Sequence, residues 1–153
     1  MDTPAVALMR TAELVKRSVS IVIDAQGITP QQYNVLRILR GAGGDGLPTL
    51  EIAERMVEQT PGITRLLDRL EGKKLVRRER CPTDRRQVTC RITKEGLELL
   101  AGLDRPVREA EQAALSALTP KQLQQLIALL DRTRNGLHAA LAARRANHSE
   151  EAS

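Results

Sequence analysis

The stretch from Thr60 to Thr93 constrains this chain more than any other. It reads TPGITRLLDRLEGKKLVRRERCPTDRRQVTCRIT, a short helix opened by Thr-Pro and followed at once by an arginine-rich β-hairpin. From Gln59 to Lys94 there are 11 Lys and Arg against 4 Asp and Glu, a balance of +7. The whole chain carries +5, so the remainder sums to −2, with 13 basic residues against 15 acidic. The positive field is confined to one supersecondary unit. A helix and an adjacent ribbon sharing a basic face match the electrostatic footprint of a nucleic-acid reader. The competing reading is a solvated charge run, because Lys and Arg are exposed in most folds.

Composition narrows the partner. Tyr33 is the only aromatic residue among 153, which argues against the stacking platforms that hold single strands or splayed RNA bases. Duplex DNA is the expected target. The length suits one domain with a genuine core. Nothing at the N-terminus resembles a signal peptide and no apolar run approaches a membrane span. Two cysteines, Cys81 and Cys90, make no disulfide framework and fit a reducing cytoplasm.

Taken in order, residues 5–26 carry Leu8, Ala12, Val15, Val19, Val22 and Ile23 at helical spacing and stop at Gln26-Gly27. Thr29-Pro30-Gln31-Gln32 is a helix start, with Thr29 as cap and Gln32 completing a capping box. The helix it opens presents Tyr33, Leu36 and Leu39, then ends in the glycine-rich connector 41–46. No Gly-Lys-Ser/Thr follows those glycines, so they make no phosphate loop. A short helix from Leu50 to about Val57 turns inward Ile52, Ala53 and Met56. A second is expected to open at Thr60-Pro61 and end near Gly72, which gives helix-turn-helix proportions. Its stripe Ile63, Leu66, Leu67 and Leu70 belongs to the core. Thr60, Gly62, Thr64, Arg65, Asp68 and Arg69 remain on outer faces. Gly62 removes bulk and allows close approach to a surface, or is simply tolerated near a helix start.

Leu75–Arg80 and Gln87–Ile92 are expected as the two strands of a ribbon, with Val88, Cys90 and Ile92 alternating inward. Arg85 and Arg86 occupy its tip beside Asp84, where a thin ribbon enters a minor groove. A long helix follows Thr93 to about Leu118, and Pro106 is expected to kink or divide it. Thr119-Pro120-Lys121-Gln122 repeats the capping signal before a last helix that uses Leu123, Leu126, Ile127, Leu130, Leu137 and Leu141. From Arg144 the polar tail is expected to fray. Both terminal helices are too long for the central unit to cover, and their aliphatic stripes call for a partner, most simply a second copy of the chain.

The order of these elements resembles the MarR family of bacterial winged helix-turn-helix regulators. The residues that carry the resemblance are Ile28 to Tyr33, Ile52 to Arg55, Ile63 to Glu71, Leu75 to Arg78, Pro82 to Arg86 and Ile92 to Gly96. It implies a mainly α fold with a small β-hairpin wing, a winged helix-turn-helix over 29–93, and dimerisation helices over 5–26 and 94–145. Residues 146–153 would be a frayed tail. The resemblance further implies a homodimer whose recognition helix, from Pro61, lies in the major groove while the wing reaches the adjacent minor groove. The family's wing signature falls on Asp84 and Arg86. Arg86 would contact the minor groove and Asp84 would orient the wing arginines, with Arg78 also at the DNA. Pro61-Gly62 departs from the pattern by leaving few hydrogen-bonding side chains at the helix start, so base readout rests on Thr60, Thr64, Arg65 and DNA shape.

No residues support catalysis or a metal: His138 and His148 stand alone, and no Ser-His or Cys-His pair is present. No cofactor is expected. The arginines around Cys81 would lower its thiol pKa, which makes a redox-sensing regulator the nearest rival. A winged-helix protein-interaction module is a further alternative, though it leaves the wing charge without a purpose. The sequence reads as a dimeric DNA-binding repressor released by a small-molecule effector. The effector cleft would be lined by the first helix, the second around Tyr33, and the long helix after Thr93.

Overall fold

The computed structural model describes residues 1, 3–59, 61–84 and 86–151, with side chains through Arg144. The chain divides into two compact units at Ala113–Ala114. The first unit opens with α1 (Pro4–Asp24), capped by Thr3, whose hydroxyl accepts from the Val6 N–H at 3.4 Å. Its apolar stripe is covered only toward the C-terminal end. Ile23 is buried and Val15, Val19 and Val22 are half-buried, whereas Leu8 is exposed together with Val6, Met9, Leu14 and Ile21.

Helix α2 (Pro30–Ala42) starts with the expected capping box. Thr29 Oγ1 accepts from the Gln32 N–H at 3.2 Å, and Gln32 Oε1 accepts from the Thr29 N–H at 3.0 Å. That return bond accounts for a polar side chain in the core, since Gln32 is buried. Tyr33, Val35, Leu36 and Leu39 from α2 join Ile52, Leu67, Leu70, Cys90, Leu100 and Leu103 in one apolar cluster.

The glycine connector is more ordered than a plain loop. Gly43–Asp45 makes one 3-10 turn, and Leu47–Pro48 forms a strand, β1. β1 pairs antiparallel with β3, Leu47 opposite Cys90 and Pro48 opposite Thr89. Gly46 permits this. Its φ is +69°, and a Cβ there would stand 2.4 Å from the Cys90 carbonyl oxygen. No other residue fits a backbone this close to β3.

Helix α3 (Thr49–Arg55) and helix α4 (Ile63–Gly72) follow. α4 begins two residues later than Thr60-Pro61 implied, because Gly62 is its N-cap in the left-handed region, φ +89°. A Cβ at Gly62 would meet nothing within 4 Å. The glycine supplies a backbone conformation there and relieves no crowding. At its far end α4 closes in a Schellman motif, with the Leu75 N–H donating to Leu70 O at 3.0 Å and the Lys74 N–H to Glu71 O at 2.8 Å. Lys74 occupies the left-handed position at φ 60°, where glycine is the usual occupant.

Strands β2 (Val76–Arg80) and β3 (Val88–Ile92) pair with Val76 opposite Ile92 and Arg80 opposite Val88, and the sheet order is β1-β3-β2. The sheet has three strands where a two-stranded ribbon was expected. Helix α5 (Lys94–Ala114) passes through Pro106 undivided and ends short of the anticipated Leu118. Leu100, Leu103 and Val107 are buried on it, but Leu97 is exposed.

The second unit is built on α6 (Pro120–Glu151). Thr119 and Gln122 form its capping box at 2.9 and 3.3 Å. Leu123, Leu126 and Leu130 are half-buried, while Ile127, Leu129, Leu137 and Leu141 are exposed. The helix runs to Glu151, and of the tail expected to fray, residues 152 and 153 lie outside the described residues.

Candidate nucleic-acid interface

Helix α4 has two distinct faces. Leu66, Leu67 and Leu70 are buried, and Thr64, Arg65, Asp68 and Arg69 are exposed. Arg65 and Arg69 are four residues apart and therefore share a face. The α4 N-cap, Gly62, has no side chain to cap the first N–H groups. Thr60 and Arg85, both expected at the interface, lie outside the described residues.

The wing is braced against α4 by one arginine. Arg78 donates from Nε to Glu71 Oε2 at 3.0 Å, and its terminal nitrogen reaches Glu71 Oε2 at 2.6 Å and Asp68 Oδ1 at 2.5 Å. The Arg78 backbone N–H also donates to Glu71 Oε1, at 3.1 Å. Those hydrogen bonds hold the Glu71 carboxyl below the usual carboxylate range and raise Arg78. The Arg78 side chain is 22% exposed. Sequence reasoning grouped it with the DNA contacts; the structure ties it to α4. Glu71 was not singled out, because its partner lies seven residues on, across a turn, with no periodic signal linking the two.

At the wing tip, Asp84 Oδ1 accepts from the Arg86 backbone N–H at 3.0 Å, an Asx turn. The Gln87 N–H donates to Asp84 O at 3.0 Å, and the Cys81 N–H to Gln87 O at 2.9 Å, closing the loop. Asp84 thus shapes the backbone that presents Arg86. Arg86, Arg80, Arg65 and Arg69 are exposed and make no ion pair among the described residues.

The cysteines differ sharply. Cys90 is fully buried and its thiol is pushed up to about 11 by desolvation. The half-buried Cys81 is lowered, chiefly by its hydrogen bond with the Thr83 hydroxyl at 3.2 Å and by the Thr83 and Asp84 backbone. The expected cause, the neighbouring arginines, is not the one found. Among the described residues no His, Cys, Asp or Glu cluster is arranged to hold a metal, and no helix is long and apolar enough to cross a membrane.

A cavity of about 380 Å³ lies between α1, α2 and the turn joining α3 to α4. Val15, Val19, Ile23, Tyr33, Met56 and Val57 give it an apolar wall. Tyr33 was the residue expected here. Burial raises its phenol pKa, and the Arg37 guanidinium sits 5.7 Å from its ring centroid. Two bonds tie the α3–α4 turn to this cleft. Lys16 of α1 pairs with Glu58 at 2.6 Å, and Asn34 Oδ1 of α2 accepts from the Val57 N–H at 3.0 Å. Neither tie was legible in the sequence, since each joins residues distant along the chain.

Two short helices whose second member is locked to an antiparallel ribbon define a winged helix-turn-helix. The MarR family model matches residues 28–88. The chain is 31% identical to the regulator MhqR of Bacillus subtilis over 76% of its own length and 78% of that protein. It is 39% identical to the repressor MdtR of the same organism, over 67% of this chain and 65% of MdtR. Among solved structures, MepR of S. aureus in complex with DNA superposes with a TM-score of 0.79 at 25% identity, covering 89% of this chain and 99% of MepR. This chain belongs to the MarR family of transcriptional regulators. It spans about 65% of the length of MdtR and of the curated regulatory protein for the hcr operon of Thauera aromatica.

Proposed function

We propose that the protein is a cytoplasmic, homodimeric repressor that binds a palindromic duplex-DNA operator and is released by a small molecule. The observation that carries this is the division among the arginines. Arg78 is bound by two carboxylates and positions the wing, whereas Arg65, Arg69 and Arg86 are exposed and without ion pairs among the described residues. Thr64, Arg65 and Arg69 on α4, with Thr60 and the Gly62 backbone before them, take the major groove. Asp84, Arg85 and Arg86 take the adjacent minor groove, where narrow walls attract arginine. MepR, a relative of matching fold, has been solved on DNA.

Two observations support the dimer. Apolar side chains stand exposed on α1, and others stand exposed on α6. A second copy would cover them and set the two α4 helices about one duplex turn apart, roughly 34–36 Å. Release then follows from the cleft at Tyr33. A ligand with an apolar body that enters it presses on Val57 and Glu58, just upstream of α4. By loosening the Lys16–Glu58 and Asn34–Val57 ties it shifts the population away from the spacing that DNA requires.

The test is binding of the purified protein to the DNA upstream of its own gene, at two salt concentrations, against a scrambled duplex. Salt-sensitive binding that prefers the natural sequence is expected. Absence of binding at low salt by a confirmed dimer would overturn the reading.

A further inference from the structure

The outer face of the wing holds charge that the DNA reading leaves unused. In the β2–β3 register Arg77 stands opposite Arg91, and Glu79 opposite Thr89. Side chains alternate along a strand, so these four share one face while Arg78 and Cys90 share the other. Arg78 reaches Asp68 and Glu71 of α4. The Arg77–Arg91 face is therefore turned away from α4. Like charges directly opposed across an antiparallel pair destabilise it. One carboxylate serves both, with Glu79 2.7 Å from Arg77 and 3.8 Å from Arg91 Nε. The longer distance is not a hydrogen bond, and that Nε is buried with no hydrogen-bond partner among the described residues. A terminal nitrogen of Arg91 is anchored on the Gly44 carbonyl. The pair is short of one acceptor.

A cavity of about 610 Å³ opens on this face, lined by Arg40, Arg77, Arg91 and Lys94, with Glu95 as the only carboxylate in its described wall. Arg40 is committed to Asp104 through two bonds at 2.9 and 3.0 Å. Lys94 has an exposed i,i+4 partner, Glu98, at 3.7 Å, a pairing that contributes little. Arg77, Arg91 and Lys94 thus border a space of small-molecule size.

The geometry points to a second effector site here, for a small molecule bearing a phosphoryl group held between Arg77, Arg91 and Lys94. A tetrahedral dianion matches two guanidinium forks and an ammonium, which a single carboxylate does not satisfy. Once the phosphoryl oxygens occupy Arg77, Glu79 is free to close on Arg91 Nε, and every donor is served. The phosphates of duplex DNA are the less favoured source, because the face is concave and points away from α4. The site stands whether or not the DNA reading does.

Calorimetry of the full chain with pyrophosphate at constant ionic strength tests it. Saturable binding is expected, weakened about tenfold or more by Arg77→Gln or Arg91→Gln, as for loss of one charge-assisted hydrogen bond. Glu79→Gln removes the competing carboxylate and is expected to tighten binding, an outcome that damage to the fold would not mimic. The double variant Arg65→Ala, Arg69→Ala is expected to bind as the parent does. The proposal is overturned by absence of heat at millimolar pyrophosphate, or by unchanged affinity in Arg77→Gln, Arg91→Gln and Glu79→Gln. Loss of binding in the α4 double variant alone also overturns it, by assigning the anion to the DNA-facing side.

Discussion

Helices α4 and α6 both carry a leucine stripe, and they use it in opposite ways. α4 buries Leu66, Leu67 and Leu70 in its own unit, while α6 leaves Ile127, Leu129, Leu137 and Leu141 exposed. A helix whose apolar side is fully covered by its own chain is fixed in orientation, and its polar side is free to meet a rigid surface. A helix with an uncovered apolar side is left with surface that a further chain could cover. On the proposed function, the same residue type marks a reading element in one place and an assembly element in the other. What separates them is whether the apolar side has cover.

The largest expected effect tests that contrast. Leu70→Ala leaves a cavity in a closed core and should cost about 2–5 kcal/mol, independent of protein concentration, by urea denaturation. Leu137→Asp should instead weaken the dependence of the melting temperature on protein concentration that a dimer shows, and lower self-association in sedimentation. If Leu137→Asp proved silent in both, α6 would not be an assembly element. Next in size, Arg78→Ala removes the partner of the partly exposed Glu71 and Asp68 and should destabilise by about 0.5–1 kcal/mol. If Arg78 acts only as a brace, DNA affinity should fall for all sequences while the salt slope is kept; a flattened slope would make it a phosphate contact as well. The same brace predicts acid sensitivity. The folded-state pKa of Glu71 is depressed from its ordinary 4.5, so its contribution is complete above that value and is lost as pH falls through the depressed one. Titrating parent against Arg78→Ala by circular dichroism reads the difference, and equal acid profiles would remove Glu71 from the account.

Smaller effects divide the exposed arginines. Arg86→Ala should flatten the salt slope by about 0.9 unit, one phosphate contact, and leave stability alone. Arg65→Ala should relax sequence preference in a competition against single-base operator variants; uniform weakening would make Arg65 a phosphate contact. The smallest effect concerns Lys74. Replacing it with glycine at φ 60° should stabilise the chain by about 0.5–1 kcal/mol by thermal melting, and a loss would show that the lysine side chain matters more than its strained backbone.

Much of this architecture was legible because it rests on local chemistry. Thr29 and Thr119 cap as their spacing with Gln32 and Gln122 implied, and the Leu66, Leu67 and Leu70 stripe is where the period placed it. The misreadings share a cause. β1 is two residues long and half proline, so it has no alternation to detect, and only Gly46 hinted that the backbone had somewhere close to go. The start of α4 was misplaced because Thr-Pro mimics a cap, while Gly62 sets the true entry by its conformation. The brace from Arg78 to Asp68 and Glu71 was not legible, because its partners lie in another element. Charge tells where a field is, but only packing tells which arginines are free to project it.

The pairing of β1 with β3 has a topological consequence. Leu47 opposite Cys90 and Pro48 opposite Thr89 bring together residues about 40 positions apart, and everything between them, α3, α4 and most of the wing, becomes a loop drawn shut at its neck. The hairpin within that loop can form locally and early, whereas the neck must wait for distant segments to meet. Gly46, pressed against the Cys90 carbonyl, is the drawstring. A side chain there would leave the helices formed but slack, a DNA-binding head with its secondary structure intact and its aim lost.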